Sequence, residues 1–214
     1  MSHFVFCHGF GFDNNFWNQI SCYFSQEHCS YLNRGYFANP ISYQHLEGHE
    51  IIGIGHSLGL ANLLTMNIKF KYLIGLNSFS NFLGSNPKVR KQRLIALRSI
   101  RKNLLINPYA TLQHFYRNCG AAELSNNIDK QQLNLPLLLS DLRSLEHTHY
   151  LPNIPTLILS SNDDIIVPTA IINDNFQGSS VYLDSVCHAG HALGFKAAQP
   201  VYAKIMSFLN DHCT

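Results

Sequence analysis

One serine stands between two glycines in a pattern that is typical of a reactive turn, Gly55-His56-Ser57-Leu58-Gly59. An apolar run precedes it and a segment with helical apolar spacing follows it. A serine on a sharp strand-to-helix turn projects its hydroxyl above the edge of a sheet, and both glycines are needed because side chains there would clash. The pattern therefore predicts that Ser57 is the nucleophile of an acyl-transfer reaction.

A second glycine-rich segment, His8-Gly9-Phe10-Gly11-Phe12, follows the first apolar run of the chain. An acyl-transfer site must hold an oxyanion with two backbone N–H groups, one of which belongs to the residue after the nucleophile. We therefore predict an oxyanion hole formed by the N–H groups of Phe10 and Leu58. Without the serine motif the segment would be an ordinary glycine turn, and we interpret His8 as a structural hydrogen-bonding residue.

The nucleophile also needs a base and a carboxylate that orients the base. Two adjacent carboxylates, Asp163 and Asp164, follow the fifth apolar run, and His188 and His191 follow the sixth. The chain order of serine, acid and histidine is the one required of a hydrolase built on a parallel sheet. Neighbouring side chains point in different directions, so these residues alone leave open which acid and which histidine take part.

Short apolar runs that alternate with helical segments must position these residues. The runs lie at residues 4–7, 31–32, 51–55, 72–76, 156–160 and 180–183. Helical spacing covers residues 58–70, 90–105, 108–118, 135–145 and 198–209. Continuous apolar runs suit strands buried on both faces, and the alternation predicts an α/β fold with a mostly parallel sheet of about six strands flanked by helices.

One long section interrupts the alternation. Residues 82–150 contain no convincing strand and are too many for a crossover, so we expect a helical cap inserted over one edge of the sheet. The predicted organisation is therefore a core part at residues 1–81, the cap at 82–150 and a second core part at 151–214. A chain of 214 residues has the size of one domain, and we expect these parts to form a single domain.

Basic residues are concentrated in the middle of the chain. Residues 51–122 carry ten Lys or Arg and no Asp or Glu, whereas the remainder has a net charge of −8. Within the cap, Lys91, Arg98 and Lys102 fall close to one face of a predicted helix. This face is either simply solvated or a docking site for an acidic partner, and four more basic residues could share that second role: Lys88, Arg90, Arg93 and Arg101.

Several classes of function are not expected. No nucleic-acid motif accompanies the basic run, and no apolar run reaches the roughly 18 residues that a membrane-spanning helix needs. The six cysteines and twelve histidines contain neither C-x-x-C nor H-E-x-x-H, so we expect no metal and no cofactor. The first residues lack a basic leader followed by a long apolar run, and we predict a cytoplasmic location.

The sequence resembles the α/β-hydrolases, and more narrowly the pimeloyl-acyl-carrier-protein methyl ester carboxylesterases of biotin synthesis. The similarity extends, weakly in places, over most of the chain. It rests on the H-G-aromatic-G segment at residues 8–11, the G-x-S-L-G motif at 55–59, the D-x-x-V-P segment at 164–168 and the G-H-A segment at 190–192. The resemblance implies a catalytic triad of Ser57, Asp164 and His191, in preference to Asp163 and His188.

The resemblance also implies roles for residues outside the triad. Phe10, Trp17 and Phe115 would line an acyl pocket, although each of them could equally pack in the core. Four basic side chains would dock the carrier protein: Lys91, Arg98, Lys102 and Arg117.

The function predicted from these observations is a serine carboxylesterase that hydrolyses the methyl ester of pimeloyl-acyl carrier protein through an acyl-enzyme intermediate. Its partner would be the acyl carrier protein that bears the ester. Two alternatives stay open: a generic short-chain carboxylesterase or thioesterase, and a catalytically inactive hydrolase scaffold that serves only for binding. The sequence makes no prediction of the oligomeric state, the acyl chain length or the alcohol.

Overall fold

The computed structural model describes residues 2–44 and 48–212, and a single sheet runs through it. Its six strands are β1 (Ser2–Cys7), β2 (Cys29–Leu32), β3 (Glu50–His56), β4 (Phe70–Leu76), β5 (Thr156–Ser161) and β6 (Tyr182–Val186). Their order is β2-β1-β3-β4-β5-β6, and every neighbouring pair is parallel. The predicted fold class is therefore confirmed, with a fully parallel sheet in place of a mostly parallel one.

Helices cover both faces of the sheet and form the insertion. They are α1 (Leu58–Leu64), α2 (Pro87–Ile106), α3 (Pro108–Asn118), α4 (Leu135–Ser144), α5 (Thr169–Phe176), α6 (Leu193–Lys196) and α7 (Ala198–His212). Short 3-10 helices lie at Asn14–Trp17, Ser21–Tyr23, Gln26–His28 and Ala122–Asn127. In the part of the chain that the structure describes, no helix has both the length and the apolar character needed to cross a membrane.

The central strands owe their apolar runs to burial on both faces. All six residues of β5 are buried, as are all residues of β3 after Glu50. β6 lies at an edge of the sheet and is mostly exposed, with a buried side chain only at Val186. It begins two residues later than predicted and ends three residues later, since Asp184, Ser185 and Val186 extend it beyond Leu183.

Three helices of the insertion begin in the same way. The side chains of Asn86, Asn107 and Asn134 cap α2, α3 and α4, and each accepts a hydrogen bond from a backbone N–H of the first turn. Each cap is followed by a proline in the first turn, where a missing N–H does no harm. The insertion between β4 and β5 therefore has well-defined helix starts, while its treatment as a separate part of the chain stays a prediction.

The candidate residues follow strands that end at the same edge. Cys7 of β1 lies opposite Gly55 of β3, and Gly55 lies opposite Gly75 of β4. Residues directly after these strands therefore gather at the carboxyl edge, which in open parallel sheets is where ligands bind.

Candidate active site

Ser57 occupies a strained turn between β3 and α1. Its φ of 52° and ψ of −122° lie in a region that side chains rarely adopt, and its N–H donates to the carbonyl of Leu76 at 2.9 Å. A Cβ at Gly55 would lie 2.4 Å from the Leu60 backbone, and one at Gly59 would lie 2.0 Å from the carbonyl oxygen of Cys7. Both positions therefore require glycine for the reason that the sequence pattern indicates.

His191 and Asp164 form a buried pair. The Nδ1 of His191 lies 2.7 Å from Oδ2 of Asp164, and the two side chains are 1% and 0% exposed. The second carboxylate oxygen accepts the N–H groups of Ile166 at 2.7 Å and Val167 at 3.0 Å. These bonds fix the position of the carboxylate. Since the carboxylate accepts, Nδ1 carries the proton, and Nε2 of His191 is left as the basic nitrogen.

Asp163 and His188, the other candidate acid and histidine, lie outside this pair. Asp163 is exposed, and its Oδ1 accepts the hydroxyl of Ser161 at 2.5 Å and the N–H of Gly190 at 3.0 Å. Hydrogen bonding by Ser161 is the main cause that holds the pKa of Asp163 below its ordinary value. His188 is exposed in a left-handed conformation with a φ of 56°. Asp163 thus fastens the loop that carries His191 and does not contact its ring.

Asn77 is a residue of this edge that the sequence analysis missed. It follows β4, is fully buried and has a φ of 48°. Its Nδ2 donates to the carbonyls of Gly190 at 2.8 Å and His191 at 3.0 Å, and its Oδ1 accepts the N–H of Ser161 at 2.8 Å. Asn77 therefore joins the ends of β4 and β5 to the histidine loop. Its position directly after an apolar strand is the signal that could have identified it.

His56 holds the histidine loop from a second side. Its ring stacks on Phe16 with centroids 4.2 Å apart, and its Nε2 donates to the carbonyl of His191 at 2.9 Å. Burial, strengthened by the nearby His191, lowers the pKa of His56 well below its ordinary value. The ring is therefore neutral at physiological pH, and we interpret it as a positioning group for His191.

The glycine segment after β1 packs directly on the serine turn. A Cβ at Gly9 would lie 2.8 Å from Nδ1 of His56 and 3.0 Å from Cβ of Ser57. Phe10 and Leu58 both line the cavity into which Ser57 opens. Within the described residues, the N–H groups of Phe10 and Leu58 donate no hydrogen bond to another protein group. Two unpaired donors next to the serine are the arrangement that an oxyanion requires.

His8 forms hydrogen bonds that hold this glycine segment in place. Its Nδ1 donates to the carbonyl of Gly9 at 3.0 Å, and its Nε2 accepts the N–H of Arg34 at 3.2 Å. The side chain is fully buried, and burial lowers its pKa. The contacts are those of the structural hydrogen-bonding residue that the sequence analysis expects.

A cavity of about 620 Å³ lies above the serine, between the sheet edge and helices α2, α3 and α4. Ser57 and His191 form part of its floor, and its walls are mostly apolar side chains: Phe10, Phe82, Leu97, Ile100, Phe115 and Leu142. Phe10 packs edge to face on Phe115 with centroids 5.4 Å apart. Phe10 and Phe115, which the sequence assigns to an acyl pocket, therefore both line the cavity.

The assignment of Trp17 to the pocket is wrong. Trp17 is 1% exposed and packs between Phe6 and Phe16, at centroid distances of 5.1 and 4.8 Å. Its ring also meets Gly194 and does not line the cavity. The 3-10 helix at Asn14–Trp17 turns the indole toward the sheet, which makes Trp17 a core residue.

The basic residues of the insertion fall into two groups. Lys91, Arg98, Lys102 and Arg117 are exposed and do not line the cavity. Arg101 instead pairs with Glu146, and the guanidinium of Arg93 lies over the ring of Phe82. These last two are therefore unsuited to the outer basic face that the sequence predicts.

Among the described residues, no group of three or more His, Cys, Asp or Glu is arranged to hold a metal ion.

No family model and no curated protein matches the sequence. Solved structures do match. An esterase from Exiguobacterium antarcticum is 13% identical with a TM-score of 0.76, over 98% of this chain and 92% of that one. An epoxide hydrolase from Bacillus megaterium is 15% identical with a TM-score of 0.73, over 98% and 94%. A bromoperoxidase from Bacillus anthracis is 13% identical with a TM-score of 0.73, over 98% and 92%. At such identities the likeness establishes the fold, and the chain has the α/β-hydrolase fold.

Proposed function

We propose that this protein is a carboxylic ester hydrolase of the serine type. The observation that carries the proposal is the buried pair of Asp164 and His191, whose histidine lines the same cavity as the strained Ser57. An epoxide hydrolase and a bromoperoxidase share the fold, so the fold alone does not select the reaction. A hydroxyl at the turn, a base oriented by a carboxylate and two unpaired N–H groups are together suited to acyl transfer.

The proposed reaction has two halves. Nε2 of His191 takes the proton of the Ser57 hydroxyl as its oxygen bonds to the ester carbonyl carbon, and the carbonyl oxygen becomes an oxyanion. The carbon–oxygen bond to the alcohol then breaks, and the alcohol leaves with the proton from His191. Water attacks the acyl-enzyme in the same way and releases the acid, so that the serine is regenerated. Asp164 keeps the imidazole in the required tautomer and stabilises its protonated form.

The oxyanion would lie against the N–H groups of Phe10 and Leu58. One donor of this kind is typically worth about 3 kcal/mol of transition-state stabilisation. The close packing of Gly9 on Ser57 holds the two donors on adjacent segments, and no movement of the main chain is needed when charge develops.

Hydrolysis of a p-nitrophenyl ester tests the reaction class. Replacement Ser57→Ala should lower the rate by more than about 10³-fold and abolish labelling by a serine-directed phosphonate. Ser207→Ala, an exposed serine on α7, is the matched control and should leave both unchanged. If the wild-type protein neither turns over the ester nor takes the label, the inactive-scaffold alternative is favoured. A comparison of matched oxygen esters and thioesters separates an esterase from a thioesterase.

For the substrate we propose, from the family resemblance, the methyl ester of pimeloyl-acyl carrier protein. What supports it is the exposed basic face formed by Lys91, Arg98 and Lys102 on α2, with Arg117 nearby in sequence on α3. An acidic carrier would be steered toward such a face.

The carrier hypothesis is tested with the same methyl ester on the carrier and free in solution. Charge reversal of Lys91, Arg98 and Lys102 to Glu should lower kcat/KM for the carrier-bound ester at low salt and leave the free ester unaffected. Lys69→Glu, an exposed residue just before the amino end of β4, is the control. Equal rates of the triple variant and the wild type on the carrier-bound ester would remove the docking role.

A further inference from the structure

Arg93 differs from the other basic residues of α2, because it faces the cavity. It lines the cavity together with Ser57 and His191 and is partly buried. Among the cavity-lining residues that the structure describes, it is the only Lys or Arg. The cavity walls near Arg93 are apolar, so its positive charge lies in weakly polar surroundings.

The guanidinium uses few of its five N–H donors within the protein. Nη2 donates to the carbonyl of Ile166 at 2.8 Å, and the planar group lies 4.1 Å from the ring centroid of Phe82. The Nε atom is buried and has no hydrogen-bond partner. In the described residues, no Asp or Glu carboxylate lies within 4.0 Å of Arg93, whereas Arg101, two turns further along α2, is paired with Glu146.

Arg93 is partly buried, and Asp164 acts on it through its charge without lying in contact with it. A partly buried cation is normally paired with a contacting carboxylate. Burial lowers the pKa of Arg93 to about 10, which still leaves the side chain charged at neutral pH. A purely structural link to the carbonyl of Ile166 would need only one donor. Arg93 lines the cavity, makes one hydrogen bond and has no contacting carboxylate among the described residues, so its guanidinium has donors left for an anion that arrives with the ligand.

We propose that Arg93 binds the carboxylate of an ester substrate that carries a second, acidic group. The substrate class would be the half-esters of dicarboxylic acids, with the ester over Ser57, the methylenes against Leu97 and Ile100, and the free carboxylate on Arg93. This inference rests on the proposed ester hydrolysis and concerns free half-esters, not the carrier-bound ester. The planar guanidinium matches a carboxylate better than an ammonium group would.

Arg93 lies close to the catalytic edge of the sheet, because its partner Ile166 also donates its N–H to Asp164. A carrier thioester has no charge at this point, and carrier-bound and free substrates consequently make different use of Arg93.

The experiment measures kcat/KM for monomethyl succinate, glutarate, adipate and pimelate, each against the methyl ester in which a primary amide replaces the carboxylate. The wild type should prefer the acid over the amide at one of these lengths. Arg93→Met should lower this acid-to-amide ratio by about 10- to 100-fold, and Arg93→Lys should retain part of it. Arg143→Met, which removes an exposed charge from α4, should leave the ratio unchanged.

A merely structural Arg93 would give a different result, because its replacement would slow the acid and the amide equally. That outcome, or equal rates of acid and amide with the wild type, would overturn the inference. A binding measurement separates it from the proposed reaction. Glutarate should raise the Tm of the Ser57→Ala protein and should not do so when Arg93→Met is added. This second readout tests Arg93 even if Ser57 is not the nucleophile.

Discussion

The backbone at Ser57 carries strain that its function would justify. A φ of 52° with a ψ of −122° is accessible to glycine and costs a residue with a side chain about 1–3 kcal/mol. The neighbouring contacts at Gly55 and Gly59 leave no freedom to relax the turn, because α1 presses on the end of β1 there. The stored strain holds the hydroxyl at the floor of the cavity.

The strain at Ser57 should be measurable. Ser57→Gly should raise the free energy of unfolding by about 1 kcal/mol over that of Ser57→Ala, because only glycine relieves the positive φ. Both replacements remove the hydroxyl, so the comparison isolates the backbone. Urea unfolding followed by circular dichroism gives the two values. Equal stabilities of the two variants would show that the turn is not strained.

The second residue-scale argument concerns Asn77, which satisfies the carbonyls of Gly190 and His191 and the N–H of Ser161. Asn77→Ala should lower kcat on a small ester by about 10- to 100-fold, since His191 would lose a support of its main chain. It should also lower the free energy of unfolding by about 2 kcal/mol.

Asn175→Ala provides the control for the loss of stability. Asn175 makes a similar set of bonds, to the N–H groups of Ser80 and Asn81 and to the carbonyl of Asn81, and none of them reaches His191. It should destabilise the protein without lowering kcat. If both variants lower kcat equally, the effect of Asn77 is one of general stability.

At the scale of single residues, the sequence could predict those that belong to a motif and not those that belong to none. The positions of Ser57, Asp164 and His191 follow from motifs tied to strand ends. The structure pairs His191 with Asp164 and places His191 and Ser57 at one cavity, and their catalytic roles stay predictions. Asn77 and Arg93 have no motif, because their importance comes from contacts made by distant segments. The interpretation of Trp17 as a pocket residue was wrong because an aromatic residue suits a pocket and a core equally.

At the scale of elements, the insertion is joined to the core by a buried ion pair. Asp141 of α4 accepts hydrogen bonds from Nε and Nη2 of Arg34 at 3.0 and 2.6 Å, and from the hydroxyl of Tyr36 at 2.5 Å. Its side chain is 7% exposed. The same helix presents Leu142 to the cavity. The backbone N–H of Arg34 donates to His8, which in turn holds the glycine segment after β1.

Asp141→Asn should therefore lower the free energy of unfolding by about 3 kcal/mol. The amide leaves the partly buried Arg34 without its counter-charge, and breaking one side of a buried pair is more costly than losing an exposed one. Denaturant unfolding gives the value. Glu123→Gln, which breaks the exposed pair with Lys196, should have little effect. Equally small changes in both variants would mean that the link to α4 contributes nothing to stability.

Some helices could be predicted from the sequence and others could not, for physical reasons that differ between them. α3 was predicted with its observed bounds, because Asn107 and Pro108 mark its start. α5 was not predicted, since Asn173, Asp174 and Asn175 are poor helix formers and the helix is stabilised by packing of Ile171 and Ile172. α1 was predicted to continue to residue 70, but it ends at Leu64 because the chain must return to form β4.

On the scale of the whole molecule, four histidines that are fully or partly buried favour their neutral form. Burial is the main cause that lowers the pKa values of His3, His8, His56 and His149. In the unfolded chain these groups titrate near pH 6.5, so below that pH the unfolded state binds protons that the folded state excludes. The folded protein is therefore destabilised as the pH falls through and below 6.5, and is unaffected by these groups at higher pH.

His8 allows this linkage to be isolated. The free energy of unfolding of the wild type, from urea titrations between pH 5 and 8, should fall below pH 6.5 with a slope of up to about 1.4 kcal/mol per pH unit for each excluded proton. His8→Gln can preserve both a donor toward Gly9 and an acceptor toward Arg34, and it should reduce the slope by about one proton. His188→Gln, at an exposed position, should leave the slope unchanged. An unaltered slope in His8→Gln would mean that His8 is protonated within the fold, and then its Nε2 could not accept the N–H of Arg34 that helps hold the oxyanion segment in place.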